Sequence, residues 1–408
     1  MARSAGSRAL DRSSERGSSV FAITAPGIAP ITADELRALG LTVDGVEHGG
    51  VTFHGGLDAI YRANLSLRTA SRVVVRLGAF HARAFGELER RARQLPWARY
   101  VGRDRAVRLR VSCRKSRLYH SGAVAERLAG AIEASTSARV AVDSARGAGA
   151  AAEDADDGAG AQLVIARLAH DECTVSMDSS GELLHMRGYR LASAKAPLRE
   201  TLAAAILLRS GWAPSSPLLD PLCGAGTIPI EGAMIARRIP PGFTRRFAFV
   251  HWPDFDAPRW ASLLDEAGSG IRAAPAPIHG SDRDAGAIQA AAANAERAGV
   301  AGDITFTTVA VSGIAPPSQP GWLVTNPPYG VRVGERDRLR NLYAQLGNVA
   351  RRKCPGWTLA LLSADARLDA QLAIPLEEVL RTRNGGIPVH LARGEVDGDK
   401  AMGSGREG

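Results

Sequence analysis

Leu218-Leu219-Asp220-Pro221-Leu222-Cys223-Gly224-Ala225-Gly226-Thr227 is the stretch whose reading decides the fold. A short apolar run ends in an acid, a glycine-rich turn follows, and an apolar helical pattern continues to Arg237. Glycine takes tight turns at no steric cost and lets a backbone pass close to a ligand. A buried strand joined to a helix by such a turn is the repeating unit of a doubly wound sheet, and ligands bind such sheets at the carboxyl ends of the strands. The strand pattern recurs at Ile278-His279-Gly280, Ile304-Thr305-Phe306, Trp322-Leu323-Val324-Thr325 and Trp357 to Leu362, with helical patterns between most of them. A parallel α/β sheet is therefore expected from about residue 185 to 395, with a helix from Pro197 to Ser210 leading into it.

Upstream the pattern is α+β. Val20 to Thr24, Val51 to Phe53 and Val73 to Leu77 read as strands, and Thr32 to Leu39 and Leu57 to Leu67 as helices. Eleven cations then crowd the stretch from Arg90 to Arg117. Within it Val107-Arg108-Leu109-Arg110-Val111 alternates apolar and basic residues, as a strand with one buried and one cationic face does. A helix from Gly122 to Glu133 and a hairpin of Leu163 to Arg167 with Thr174 to Asp178 close this region. Residues 147–160 turn abruptly to Ala, Gly, Asp and Glu and read as a flexible acidic insertion. Residues 1–18 and 396–408 read as disordered tails.

At 408 residues the chain suggests two or three domains. The net charge of +9 points to a polyanionic partner, with nucleic acid expected; general arginine richness is the plain alternative. The four cysteines are scattered and form no C-x-x-C pair, which argues against a disulfide framework, against a zinc site, and for a reduced, cytoplasmic compartment. No apolar stretch has the length or flanks of a signal peptide or a membrane span, so no membrane partner is expected.

The glycine turn excludes two common ligands. A dinucleotide fingerprint needs glycine at position 229, where Pro229 stands, and no P-loop lysine follows. The spacing D-x-x-x-G-x-G suits S-adenosylmethionine, which has no phosphate to cradle. Asp220, Gly224, Gly226 and Thr227 are accordingly the candidate cofactor residues. Asp282, at the end of the next strand, is placed to accept both hydroxyls of a ribose. Its distance from Gly226 exceeds the roughly 20 residues of nicotinamide folds, and the Pro- and Trp-rich piece from Pro240 to Trp260 accounts for the excess. Trp252 and Trp260 read equally as pocket cover or as core.

Asn326-Pro327-Pro328-Tyr329 follows an apolar strand directly. An exocyclic amine on a nucleobase is a poor nucleophile because its lone pair is delocalised into the ring. The Asn326 side-chain oxygen and the Pro327 carbonyl can each accept one of its hydrogens and turn the lone pair toward an electrophile, a near-attack geometry. Pro327 and Pro328 fix φ and stiffen the loop, and Tyr329 offers a ring on which an extruded base can stack. These four are the candidate catalytic residues.

Together with Gly50 to Phe53, Tyr61 to Leu65, Arg68 to Arg72, His185-Met186-Arg187-Gly188-Tyr189-Arg190 and Ala196 to Ala205, these motifs resemble the THUMP-domain RNA methyltransferases, and among them the 23S rRNA guanine-N2 methyltransferases. The resemblance covers about residues 20–391 and implies a Rossmann-like seven-stranded methyltransferase domain over 185–395. It further implies a ferredoxin-like region over 19–57 and an RNA-gripping THUMP domain over 58–180. Matched position by position, Asp220, Gly224 and Gly226 hold the methionine side of the cofactor, Asp282 its ribose, and Asn326 to Tyr329 the amine. Pro197 to Thr201 match the element over the cofactor, which adds Thr201 to the candidates. One departure stands out: the family places an acid after the third strand to meet the adenine amine, and Ala310 stands there, leaving Ser312 or a carbonyl as replacement. A second methyltransferase domain, which some relatives carry C-terminally, is not read in this chain. The expected substrate is 23S rRNA. The alternatives are guanine-N2 methylation of tRNA, adenine-N6 methylation, and a degenerate RNA-binding factor.

Overall fold

The computed structural model describes residues 17–102, 105–143, 160–190, 198–329 and 336–398. The acidic insertion falls almost wholly outside them, as do most of both tails. The described chain begins as strand at Ser18 and stays anchored to Val396, which is buried and whose amide donates to the Trp357 carbonyl. Two compact units form: residues 1–25, 32–184 and 242–266 make the first, and residues 26–31, 185–241 and 267–408 the second.

The first unit is built on one eight-stranded sheet. Its strands are β1 (Ser18–Thr24), β2 (Val43–Glu47), β3 (Gly50–Gly55), β4 (Ala70–His81), β5 (Val107–Arg114), β6 (Val140–Val142), β7 (Gln162–Ala169) and β8 (Glu172–Asp178), in the order β2-β3-β1-β4-β8-β7-β5-β6. β4 pairs with β1 on one side and β8 on the other, so the segments read as ferredoxin-like and THUMP share a single sheet. Alternation decides which face is buried: Val20, Ala22 and Thr24 of β1 point inward, as do Val107 and Leu109 of β5.

The outward face of β5 is not simply a row of free cations. Arg108 and Arg110 both turn to Asp143, at 2.7 and 3.3 Å, and share its one negative charge. Arg90, Arg91, Arg114, Lys115 and Arg117 are the described cations of this stretch left exposed without a described ion pair. The Pro- and Trp-rich segment belongs to the same unit from residue 242 on. Phe249 packs on Tyr61 at 4.6 Å and on Trp260 at 5.1 Å, while Trp252 meets Tyr100 at 4.9 Å and donates its indole N–H to Gln162. Trp252 is therefore a core residue of the first unit, and Trp260, half-buried, packs on Phe249 beside it.

The second unit carries seven strands: β9 (Leu218–Asp220), β10 (Ile278–Asp282), β11 (Ile304–Thr308), β12 (Trp322–Thr325), β13 (Thr358–Ser363), β14 (Glu377–Asn384) and β15 (Ile387–Glu395). Their order is β11-β10-β9-β12-β13-β15-β14; the first five are parallel and β15 runs antiparallel to β13. Both faces are covered, which is why these strands read as continuous apolar runs. Leu218, Val324, Ala360 and Leu362 face one core with helices Glu200–Ser210 and Thr227–Ala236. Leu219, Leu323, Leu359 and Leu361 face the other, with Tyr343, Leu346 and Val349 of helix Arg336–Lys353. The strand order reverses between β9 and β12, so a crevice is expected outside their carboxyl ends.

Candidate active site

Asp220 ends β9 and Asn326 follows β12, so both motifs meet at that reversal. The cofactor loop is tied down from several sides. Cys223 donates its amide to the Ser281 carbonyl (2.9 Å), Gly224 donates to Asp282 Oδ2 (3.1 Å), and Asn294 donates to the Ala225 carbonyl (3.0 Å). The other oxygen of Asp282 accepts from the Asp284 amide at 3.0 Å. The two glycines serve different ends. Both take positive φ, +53° at Gly224 and +84° at Gly226. A Cβ at Gly224 would meet nothing within 4 Å, so the backbone there borders open space. At Gly226 it would lie 2.9 Å from Ala291 Cβ, so this glycine is needed for packing against helix Ala285–Arg297.

Asp220 is 2% exposed. Its Oδ1 accepts both from the Thr325 hydroxyl (2.7 Å) and from the Leu222 amide (3.1 Å). Burial pushes its carboxyl up to about 7; the two donors oppose the shift and the nearby Asp282 charge adds to it. No cation is among these influences. A carboxylate in that position fits a ligand that brings its own positive charge, as the ammonium of S-adenosylmethionine does. Burial and both aspartates raise the Cys223 thiol, so it stays protonated and serves as packing.

Thr201 is half-buried in the first turn of helix Glu200–Ser210. Its link to the loop runs through a residue next to it: Arg190 pairs with Glu200 at 3.2 Å and donates to the Leu198 carbonyl and the Thr227 hydroxyl. Arg187 and Tyr189 both reach Glu231, at 3.4 and 3.2 Å, in the helix that follows the loop. The motif Arg187-Gly188-Tyr189-Arg190 thus answers buried carboxylates inside the second unit. Beyond β11, Val309 donates to the Asp282 carbonyl, while the Ser312 carbonyl is occupied by the Lys353 ammonium at 2.9 Å.

In the catalytic loop Asn326 is half-buried, and its Oδ1 is sealed from water with no hydrogen-bond partner among the described residues. Pro327 is buried and Pro328 exposed. Tyr329 packs against the core, and its hydroxyl accepts from Asn384 Nδ2 (2.7 Å) at the end of β14. Burial raises this phenol, so it remains protonated. Thr325, Arg190, Asn294 and Asn384 support the site and were not singled out from the sequence as site residues. A hydroxyl ending an otherwise apolar strand was the available signal for Thr325; nothing local marks Asn384.

Residues 187–392 match the RMKL-like methyltransferase domain, and residues 19–74 the RlmL ferredoxin-like domain. A Synechocystis sp. protein, slr0064, named provisionally as an RNA methyltransferase, is 35% identical over 92% of this chain and 96% of its own length. The ribosomal RNA large subunit methyltransferase K/L of Syntrophotalea carbinolica is 35% identical over 94% of this chain and 54% of its own. The chain spans about half the length of the K/L relatives it matches. Among solved structures, SMU.472, assigned provisionally to the methyltransferases and complexed with S-adenosylhomocysteine, superimposes with a TM-score of 0.80. Its identity is 28%, over 93% of this chain and 98% of its own.

The fold and the loops at its strand reversal define an S-adenosylmethionine-dependent methyltransferase of the Rossmann-like class. The chain belongs to the RMKL-like methyltransferase family and carries that family's ferredoxin-like domain at its N-terminal end. No helix among the described residues is long and apolar enough to cross a membrane.

Proposed function

We propose that this chain methylates the exocyclic N2 of a guanine in 23S rRNA, with Asn326 and Pro327 holding the amine. The observation that carries the reading is Asn326 Oδ1 directly beyond β12, a buried acceptor with no hydrogen-bond partner among the described residues. A buried acceptor without a donor costs about 1–3 kcal/mol, and an amine N–H placed there removes that cost. The Pro327 carbonyl takes the second hydrogen, which directs the nitrogen lone pair. S-adenosylmethionine supplies the electrophilic methyl group on a sulfonium. Asp220 faces its ammonium, Asp282 its ribose hydroxyls, and the open backbone at Gly224 and the Thr227 end of the loop border it, with Thr201 on the element above. Tyr329, its hydroxyl fixed by Asn384, presents its ring to the base. No strong base is required, because the amine proton leaves after transfer.

RNA as the substrate is supported by the charge of +9, by exposed Arg90, Arg91, Arg114 and Lys115, and by relatives named for large-subunit rRNA. In this reading residues 19–57 and 58–180 act as the ferredoxin-like and THUMP parts of an RNA grip, and 185–395 as the methyltransferase domain. Mass spectrometry of rRNA and tRNA nucleosides from a deletion strain tests it. Loss of N2-methylguanosine from 23S rRNA alone is expected. Loss from tRNA, or loss of N6-methyladenosine instead, would reject it.

A further inference from the structure

Two strands that pair at the reversal are joined by one side-chain bond. β9 and β12 run parallel, with Leu219 opposite Leu323. β9 stops at Asp220, where the chain turns into the cofactor loop; β12 continues to Thr325, the residue before Asn326. Thr325 is fully buried, and its hydroxyl donates to Asp220 Oδ1 at 2.7 Å. The Leu222 amide donates to the same oxygen, so Oδ2 receives neither bond. The carboxylate is thereby fixed in rotation, with both of its described hydrogen bonds on one oxygen.

We infer that Thr325 is a positioning residue that aims Asp220 at the cofactor and fixes the end of the strand bearing Asn326, so that one hydroxyl sets both halves of the site. The inference rests on the cofactor role proposed for Asp220. A valine would fill the same volume without the bond. The groups acting on Asp220 are the Thr325 hydroxyl, the Leu222 amide and the Asp282 carboxylate, with the protonated Cys223 thiol beside it. Only the first two favour its charged form. Removing the hydroxyl leaves one donor against burial and a like charge, so Asp220 holds its proton to higher pH.

The test is titration of S-adenosylhomocysteine into the full chain from pH 6 to 8.5, for wild type and for Thr325→Val, Thr325→Ala, Thr325→Ser and Asp220→Asn. In wild type, affinity rises with pH through about 7 as Asp220 ionises. In the Val and Ala variants affinity at pH 7 falls about tenfold, as for loss of a hydrogen bond to a charged group. The midpoint of the profile moves up by about one pH unit. Methyl transfer at saturating cofactor slows as well, and Thr325→Ser restores all three. The inference is overturned if Val and Ala bind with the wild-type profile, or if they lose affinity equally at every pH with no recovery in Ser. If Asp220→Asn binds as wild type does, the cofactor role of Asp220 fails instead, which separates the two claims.

Discussion

Each of the two units buries an aspartate, and the two are treated in opposite ways. Asp178, at the end of β8, is fully buried beside Arg72 at 2.6 Å, and the amides of Ser180 and Gly181 donate to it at 3.0 and 2.8 Å. Asp220, at the end of β9, has among the described residues a hydroxyl and one amide as donors, with a like charge nearby. A buried charge is tolerated when it is paired and hydrogen-bonded. The first unit completes its aspartate from its own chain and gains a fixed joint between β4 and β8. The second leaves its aspartate short of a counter-charge at the place proposed here for the cationic end of the cofactor. In the proposed function Asp178 thus serves as a structural joint and Asp220 as a binding group.

The largest effect expected from this contrast is in the first unit. Arg72→Ala removes the counter-charge that Arg72 gives Asp178, at a cost of about 3–5 kcal/mol, to be read from urea denaturation; a loss under about 1 kcal/mol would break the comparison. Next comes Asn326→Ala. By analogy with removing one preorganised polar contact, turnover should fall by ~10²-fold or more while S-adenosylhomocysteine binds as before. Wild-type turnover would remove Asn326 from its assigned role.

Asp220 should also reveal itself by protons. With a carboxyl near 7, about half the molecules carry its proton at pH 7, and a bound ammonium expels it. Calorimetry in buffers of different ionisation enthalpy should show roughly 0.5 more protons released by wild type than by Asp220→Asn. The same shift has a stability consequence of definite sign. The folded value lies above the unfolded one, so the native state binds the proton more tightly. Stability therefore falls as pH rises from about 4 toward 7, and Asp220→Asn flattens that slope. The smallest change is expected for Tyr329→Phe, which keeps the ring and loses the bond from Asn384. A cost of about 0.5–1.5 kcal/mol in transition-state binding is expected, read as kcat/KM on RNA, against a much larger loss in Tyr329→Ala.

Legibility in the sequence differed between the units for related reasons. β9 and β12 begin and end where their residues suggest, because a strand buried on both faces must be apolar throughout and a glycine or proline turn marks its end. β14 and β15 were harder to see. β14 lies at the sheet edge, and Glu377, Glu378, Arg381 and Arg383 interrupt its apolar residues with exposed charges. β2, also at an edge, has the same difficulty, with Gly45 in its middle. The motifs proposed for cofactor and amine were easy to pick out because each is one short loop with strict residue requirements. Their supports were not: Thr325 meets Asp220 across 105 residues, Tyr329 meets Asn384 across 55, and Arg108 meets Asp143 across 35. Such pairings depend on which strands become neighbours, and residue spacing along the chain does not encode that. The placement of residues 242–266 in the first unit is of the same kind: their aromatic content marked them as buried but not where.

The most direct measurement is reconstitution. Purified protein, unmethylated 23S rRNA and S-adenosylmethionine carrying a labelled methyl group are incubated, and the RNA is digested to nucleosides for mass spectrometry. Labelled N2-methylguanosine with wild type, reduced ~10²-fold with Asn326→Ala, is the expected result. Label on a ring nitrogen or a ribose oxygen, or equal labelling by the Asn326→Ala variant, would contradict amine methylation at this loop.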